Sequence, residues 1–328
     1  MGFILSLVIV AILIGVSYAG AQAGLSGLFG IYIPYLALLI FLAGLVLRVL
    51  KWAASPVPFR IPTTGGQQKS LPWIKHSKYD NPSSTFGVIV RMLLEIFLFR
   101  SLFRNLKAEL RDGKLAYGWE KWLWIAGLAF HWCFFIVLFR HFRFFLQPVP
   151  AVVNLADKLD GFLQIGVPHL LLTGVVLLGA ALYLLARRFY IPQVRYISLT
   201  SDYFALLMII AIATSGILMR YFYKVDIIAV KNLTMGLATL SPKAPEGIGA
   251  IFYVHLFLIS SLFIYFPFSK LVHFGGVFLS PTRNLANSNR MKKHVNPWNY
   301  DVKVHTYEEY EDEFREKMKM VELPVEKE

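Results

Sequence analysis

Cysteine is nearly absent from this chain. One residue, Cys133, stands among 328, so no intrachain disulfide and no all-cysteine iron–sulfur cluster can form. Acidic charge is also scarce, with 20 Asp and Glu against 33 Lys and Arg and a net charge of +13. Several apolar runs of about 17–25 residues carry no charge, which is the length of a membrane-spanning helix. No Lys or Arg precedes the first run, which weakens a signal-peptide reading despite the small residues Ala19, Ala21 and Ala23. That run is therefore read as a helix. No internal repeat is found, which counts against transporters built from duplicated halves.

What is present is 56% hydrophobic and reads as an all-α integral membrane bundle. Six spans are predicted at about 3–20, 31–50, 122–146, 162–186, 203–222 and 249–268. The basic residues cluster in alternate loops. Residues 51–121 hold twelve Lys/Arg against five Asp/Glu, and Arg187, Arg188 and Arg195 follow the fourth span. Lys270, Arg283, Arg290, Lys292 and Lys293 follow the sixth. By the positive-inside rule these face the cytoplasm, as do both termini. The charge then serves anionic lipid rather than nucleic acid. Trp119, Trp122 and Trp124 stand at the inner boundary of the third span as an aromatic belt.

Segment 86–107 is apolar but contains Arg91, Glu95, Arg100, Arg104 and Lys107. It is read as a helix lying in the inner interface rather than crossing it. Arg100, Arg104 and Lys107 would share a face, and Arg91 and Glu95 would pair. From Pro281 the chain turns polar, and residues 307–320 (YEEYEDEFREKMKM) are a charged helix candidate, closed off by Pro324. A solvated tail and a docking helix for a cytoplasmic partner are both open readings. The predicted organisation is an extra first helix and outer loop (1–30), a membrane domain (31–280) and a cytoplasmic tail (281–328).

Polar titratable groups are costly at membrane depth, which makes four histidines the candidate site. His131 and His141 lie ten residues apart on the third span, and His255 and His273 lie eighteen apart on the sixth. Ten helical residues give a rise of about 15 Å, and eighteen give about 27 Å and five full turns. The two segments run in opposite directions, so His131 falls opposite His273 and His141 opposite His255. The difference of about 12 Å in rise has to be absorbed by tilt, unequal heights or distortion. Pro267 is a candidate kink. Neutral imidazole is a good iron ligand, and two per iron close both axial positions. The chain has no Cys-x-x-Cys-His motif, so such haem would be non-covalent, b-type and suited to one-electron transfer. Isolated interfacial or hydrogen-bonded histidines are the bland alternative.

Arg140 and Arg143 flank His141, and Arg220 ends the fifth span on the same outer side. They are candidates to hold haem propionates, or else snorkel to the outer headgroups. His169 is placed early in the fourth span, and Lys158 is the basic residue of the outer loop before it. Both are candidates for a quinone site, with helix packing the alternative for His169. Asp157 and Asp160 are candidate proton relays. Cys133 is read as a small packing residue, while His76, His294 and His305 carry no ligand spacing.

The stretch VHLFLISSLFIYFPFSKLVHFGG (254–276), with its PFSKLVH core, resembles the haem-binding helix of the respiratory nitrate reductase gamma subunit. So do the two histidine spacings and RRFYIPQVRYISLTSDYF (187–204). The resemblance covers roughly 31–280. It implies two b haems, held by His141 with His255 at the outer side and by His131 with His273 at the inner side, and quinol oxidation near the outer one. Lys158 lies near, but offset from, the basic residue that family places beside its quinone. The extra first helix, the 51–121 insertion and the tail, together with LFRSLFRNLKAEL, make the chain similar to the membrane cytochrome b family of the Dsr complex (DsrM) of sulfur-metabolising prokaryotes. That similarity implies menaquinone as redox carrier and a cytoplasmic iron–sulfur partner related to heterodisulfide reductase (DsrK-like). It also implies further membrane subunits and a periplasmic multihaem cytochrome c.

The expectation is a dihaem, menaquinol-linked oxidoreductase subunit. Alternatives are a nitrate reductase gamma subunit, the cytochrome b of a heterodisulfide reductase, or a transporter or structural anchor whose histidines relay protons.

Overall fold

A computed structural model describes residues 1–55, 66–104, 106–243, 247–287 and 304–327, without the side chains at 106, 107, 111 and 119. Among these residues, six helices are long and apolar enough to cross a membrane. The chain starts with α1 (Gly2–Gln22), passes a π-helical turn at Leu28–Tyr32 and continues as α2 (Ile33–Ala53). Next come α3 (Thr85–Leu98), the single turn α4 (Arg100–Phe103), and the strands β1 (Leu106–Arg111) and β2 (Lys114–Trp119). α5 (Lys121–His141) is followed by α6 (Ala151–Asp160), α7 (Leu172–Tyr190), the short α8 (Pro192–Ile197) and α9 (Thr200–Tyr221). α10 (Ile227–Ala238) precedes α11 (Ala250–Tyr265). Two 3₁₀ turns then lead to α12 (His273–Leu279), α13 (Pro281–Asn284) and α14 (Tyr307–Met320).

Lipid leaves every backbone polar group to be satisfied within its own helix, so the spans are continuous hydrogen-bonded rods. Their outward faces are apolar: Leu36, Leu39, Leu42, Leu47 and Leu50 of α2 are all exposed. Packing runs from α5 to α7, from α7 to α9, from α9 to α11, and from α11 to α1 and α2. One core joins Val10, Leu207, Met208, Val254 and Leu258; a second joins Phe29, Leu233, Phe252 and Tyr253. α5 and α11 approach each other less closely than any of these neighbouring pairs, which leaves room between them.

Several expectations need correction. The helix predicted over 86–107 stops at Leu98, because Phe99 adopts the left-handed region (φ 49°, ψ 45°). Lys107 lies instead in β1, so it shares no helical face with Arg100 and Arg104, and both arginines bind Asp80. Glu95 does act on Arg91, as the i,i+4 spacing predicts, and the two also reach the segment after His273, at Arg283 and Thr282. The β-hairpin, unforeseen in an otherwise helical chain, follows from Asp112-Gly113 (φ 50° and 73°), a two-residue turn of left-handed residues that suits tight hairpins.

The fourth span begins at Leu172 rather than 162. Gln164 and Gly166 have positive φ, Pro168 follows, and Asp160 accepts from the backbone N–H and hydroxyl of Thr173 at 2.7 and 2.6 Å. His169 is thus in the connector, not in the helix. His273, likewise, is not on the sixth span. That span ends at Phe268, Ser269 is extended (φ −111°, ψ 178°), and its hydroxyl caps the N–H of Leu271 at 3.2 Å. Pro267 supplies the break by lacking an N–H. Gly44 of α2 packs against it, where a Cβ would lie 2.7 Å from the proline ring.

The helix predicted at 307–320 is present, with a capping box in which the Thr306 hydroxyl accepts from Glu309 N (3.2 Å) and Glu309 accepts from Thr306 N (3.0 Å). Arg290, Lys292, Lys293 and His294 lie outside the described residues, as do the side chains of Lys107 and Trp119.

Candidate functional site

The site is built from two antiparallel segments that meet through their imidazoles. On α5, His131 Nδ1 donates to the Gly127 carbonyl and His141 Nδ1 to the Val137 carbonyl, each at 2.7 Å and one turn back. His273 Nδ1 donates to the Lys270 carbonyl at 3.1 Å. His255 differs: it is buried in α11, and its Nδ1 meets Ser215 Oγ of α9 at 2.8 Å. That hydroxyl spends its own hydrogen on the Ile212 carbonyl at 2.9 Å, so the imidazole N–H is the donor. Gly216 beside it leaves room for the ring, with a Cβ position 3.4 Å from His255 Cε1. In all four residues the proton is drawn to Nδ1, and the Nε2 lone pair is left available. This is the arrangement in which a metal-binding imidazole is oriented by its second nitrogen.

The four then form two pairs. His131 and His273 have ring centroids 5.9 Å apart with planes at 89°, and His141 and His255 lie 6.4 Å apart with planes at 18°. Two imidazoles each bound at about 2 Å to one metal hold their centroids about 6 Å apart. Among the described residues, no cluster of three or more His, Cys, Asp or Glu could hold a bare metal ion. A pair of axial imidazoles therefore fits a metal that brings its own equatorial donors, as haem does.

The neighbouring basic residues divide. Arg140 is buried against Asp160 (Nε–Oδ2 3.0 Å) and Asp157 (3.5 Å), and Arg143 pairs with Asp157 at 3.2 Å. Their charge is largely matched by these carboxylates. Arg220 donates to the His169 carbonyl at 3.3 Å, and its buried Nε has no hydrogen-bond partner among the described residues. It is the basic side chain at this end best placed to meet an added carboxylate. Tyr221 also reaches the His169 carbonyl, at 3.4 Å, and the His169 ring packs on Gly161. Lys158 stays exposed on α6, in an open recess with Ala151, Asn154 and Leu155. The structure thus joins His169 to Arg220 and places Lys158 on a separate, exposed face.

Sequence reasoning missed several residues here. Ser215 was hidden because its partner lies forty positions away, and its one local signal was a hydroxyl within an apolar span. Arg48 of α2 has a buried Nε without a hydrogen-bond partner among the described residues and lies 5.5 Å from the Trp52 ring, which neighbours Gly275 and Gly276 just after His273. Lys270 does two things: its carbonyl orients His273, while its ammonium pairs with Asp202 at 2.9 Å. Asp202 also lies 3.9 Å from Arg188, so the stretches 187–204 and 267–273 meet through one carboxylate.

The family model described as the nitrate reductase gamma subunit matches residues 114–291. The chain belongs to the nitrate reductase gamma subunit family. It is, accordingly, a multi-pass membrane protein of that family, whose match takes in both histidine pairs and leaves out residues 1–113. The gamma-family chain is also 45% identical, over 278 residues and 83% of each sequence, to a protein of Archaeoglobus fulgidus named Hdr-like menaquinol oxidoreductase cytochrome b-like subunit. A protein of the same name from Archaeoglobus profundus is 41% identical over 273 residues and 81% of each sequence.

Proposed function

We propose that this chain is the dihaem b membrane subunit of a menaquinol-linked oxidoreductase complex. It exchanges electrons with a cytoplasmic, heterodisulfide reductase-like iron–sulfur subunit in dissimilatory sulfur metabolism. The observation that carries the reading is the pair of imidazole pairs, each about 6 Å across, with all four Nδ1 groups engaged and no hydrogen bond at Nε2 among the described residues. His141 and His255 would hold one haem near the outer face, and His131 and His273 the other near the cytoplasm. When bound, the two haems would supply one-electron transfer between the two ends of the bundle.

The chain's own residues supply position, charge and proton handling. Arg220, and more weakly the carboxylate-matched Arg140 and Arg143, would meet propionates at the outer end; Arg48 would do so at the inner end. Menaquinol oxidation at the outer side releases two protons and two electrons. His169 and Lys158 are the candidate quinone contacts, with Asp157 and Asp160 between them and water. The names of the two Archaeoglobus relatives favour a heterodisulfide reductase-like partner over nitrate reductase. A periplasmic multihaem cytochrome c and further membrane subunits complete the proposed assembly.

Replacing His131 or His255 with Ala should each remove one of two b-type components from the reduced-minus-oxidised spectrum. Unchanged haem content in both variants would overturn the reading. A quinone-site inhibitor should block reduction of the purified complex by a menaquinol analogue, and inhibitor-insensitive reduction would remove the quinone from the proposal.

A further inference from the structure

We propose that residues 80–103 brace the His131–His273 pair, with Phe99 as the positioning residue that seals His131. The inference rests on reading that pair as a haem site.

Several contacts fasten this segment to α5. The Phe99 ring stands edge-on to His131, with centroids 5.0 Å apart and planes at 87°. The last turn of α3 leaves carbonyls without helical partners, and α5 supplies the donors. Trp132 Nε1 donates to the Phe97 carbonyl at 3.0 Å and Trp124 Nε1 to the Leu98 carbonyl at 2.7 Å. Trp132 is the residue next to His131, and its ring also stacks on Phe97 at 5.9 Å.

The same segment grips the chain beyond the other ligand. Arg91 is buried and donates to the Thr282 carbonyl at 3.2 Å, while Glu95 pairs with Arg283. Asn287 donates its N–H to the Pro82 carbonyl and its amide to Asn81 Oδ1, both at 2.7 Å. Burial pushes the Arg91 guanidinium below its ordinary value, Arg283 pushes the same way, and Glu95 opposes them. Glu95 therefore holds two cations at this joint.

Phe99 completes the argument. A bulky residue at φ 49° is strained backbone, and such strain persists where surrounding contacts over-determine it. Glu95 Oε2 fixes the elbow by accepting from Ser101 N at 3.0 Å and from its hydroxyl at 2.7 Å. One carboxylate thus sets both the elbow under His131 and the grip on the segment after His273. An interfacial helix serving lipid alone would need neither the left-handed phenylalanine nor the two indole-to-carbonyl bonds. The brace lies wholly outside the family match, which begins at residue 114.

The test uses the full-length purified protein, with spectra and redox titrations of Phe99→Ala, Phe99→Tyr and Glu95→Gln beside His131→Ala and His141→Ala. Phe99→Ala and Glu95→Gln should weaken haem occupancy roughly tenfold and shift the midpoint, but only for the component that His131→Ala removes. Phe99→Tyr, which keeps the ring, should restore both. A Phe99→Ala protein with both components unchanged, or with both altered alike, overturns the brace while leaving the haem reading intact. A His131→Ala protein that loses no component overturns both.

Discussion

The two histidine pairs do the same geometric work with different construction. His141 and His255 sit on continuous helices, and His255 is buried and tied across to α9 by Ser215. His131 meets an imidazole that lies beyond a break, on an exposed residue starting a seven-residue helix. The first pair inherits its geometry from rod packing. The second must be assembled from a proline break, an extended serine and a braced elbow. The ring planes reflect this, at 18° for the rod-set pair and 89° for the assembled one.

The largest way to break the comparison is to overpack the break. Gly44→Leu would put side-chain atoms where even a Cβ lies 2.7 Å from Pro267 and 3.2 Å from Phe268. Overpacking of this kind costs about 1–3 kcal/mol, read as a lower Tm. The spectral component of His131 and His273 should move while the other stays. Equal disturbance of both would show that the pairs are not built independently.

Ser215→Ala sharpens the opposite side. It leaves the buried Nδ1–H of His255 without its acceptor, a cost of about 1–3 kcal/mol, and frees the tautomer. On the proposed haem reading, losing that acceptor would weaken the imidazole as an electron donor to iron. The midpoint of this component should rise and its haem affinity should fall roughly tenfold. Ser215→Thr should retain the bond. An Ala variant indistinguishable from the parent would remove Ser215 from the site.

The smallest expected effect is a control in the polar helix α14. Glu311 accepts from the N–H groups of Glu326 (2.7 Å) and Lys327 (2.8 Å), and the Glu326 bond above all holds its carboxyl below the ordinary range. A lowered folded value means its contribution is fully present above the unfolded value of about 4.3 and is lost as pH falls through the folded one. A spin label at Lys319 should stay ordered from pH 7 to about 5 and loosen only in stronger acid, with neither haem component changing between pH 7 and 5. Loosening already above pH 5 would contradict this.

Much of this molecule was legible in its residues. Hydropathy runs located the spans to within a few positions except the fourth, because an apolar window of helix length is a local property. The spacing of His131, His141, His255 and His273, with opposed chain directions, was enough to say which would meet. The charged pattern of 307–320 defined α14 for the same reason. Other features depended on contacts between distant positions, which no local period encodes. Among them are the bond from His255 to Ser215, the seat of Gly44 on Pro267, and the left turn at Phe99 under His131. His169 left its helix because Gln164, Gly166 and Asp160 placed the start of α7 later than its apolar pattern did. Sequence alone determined which segments enter the membrane and which imidazoles can face each other. Tertiary packing decided how each is held, because a hydrogen bond or a close backbone approach exists only once both partners have been brought to the same place.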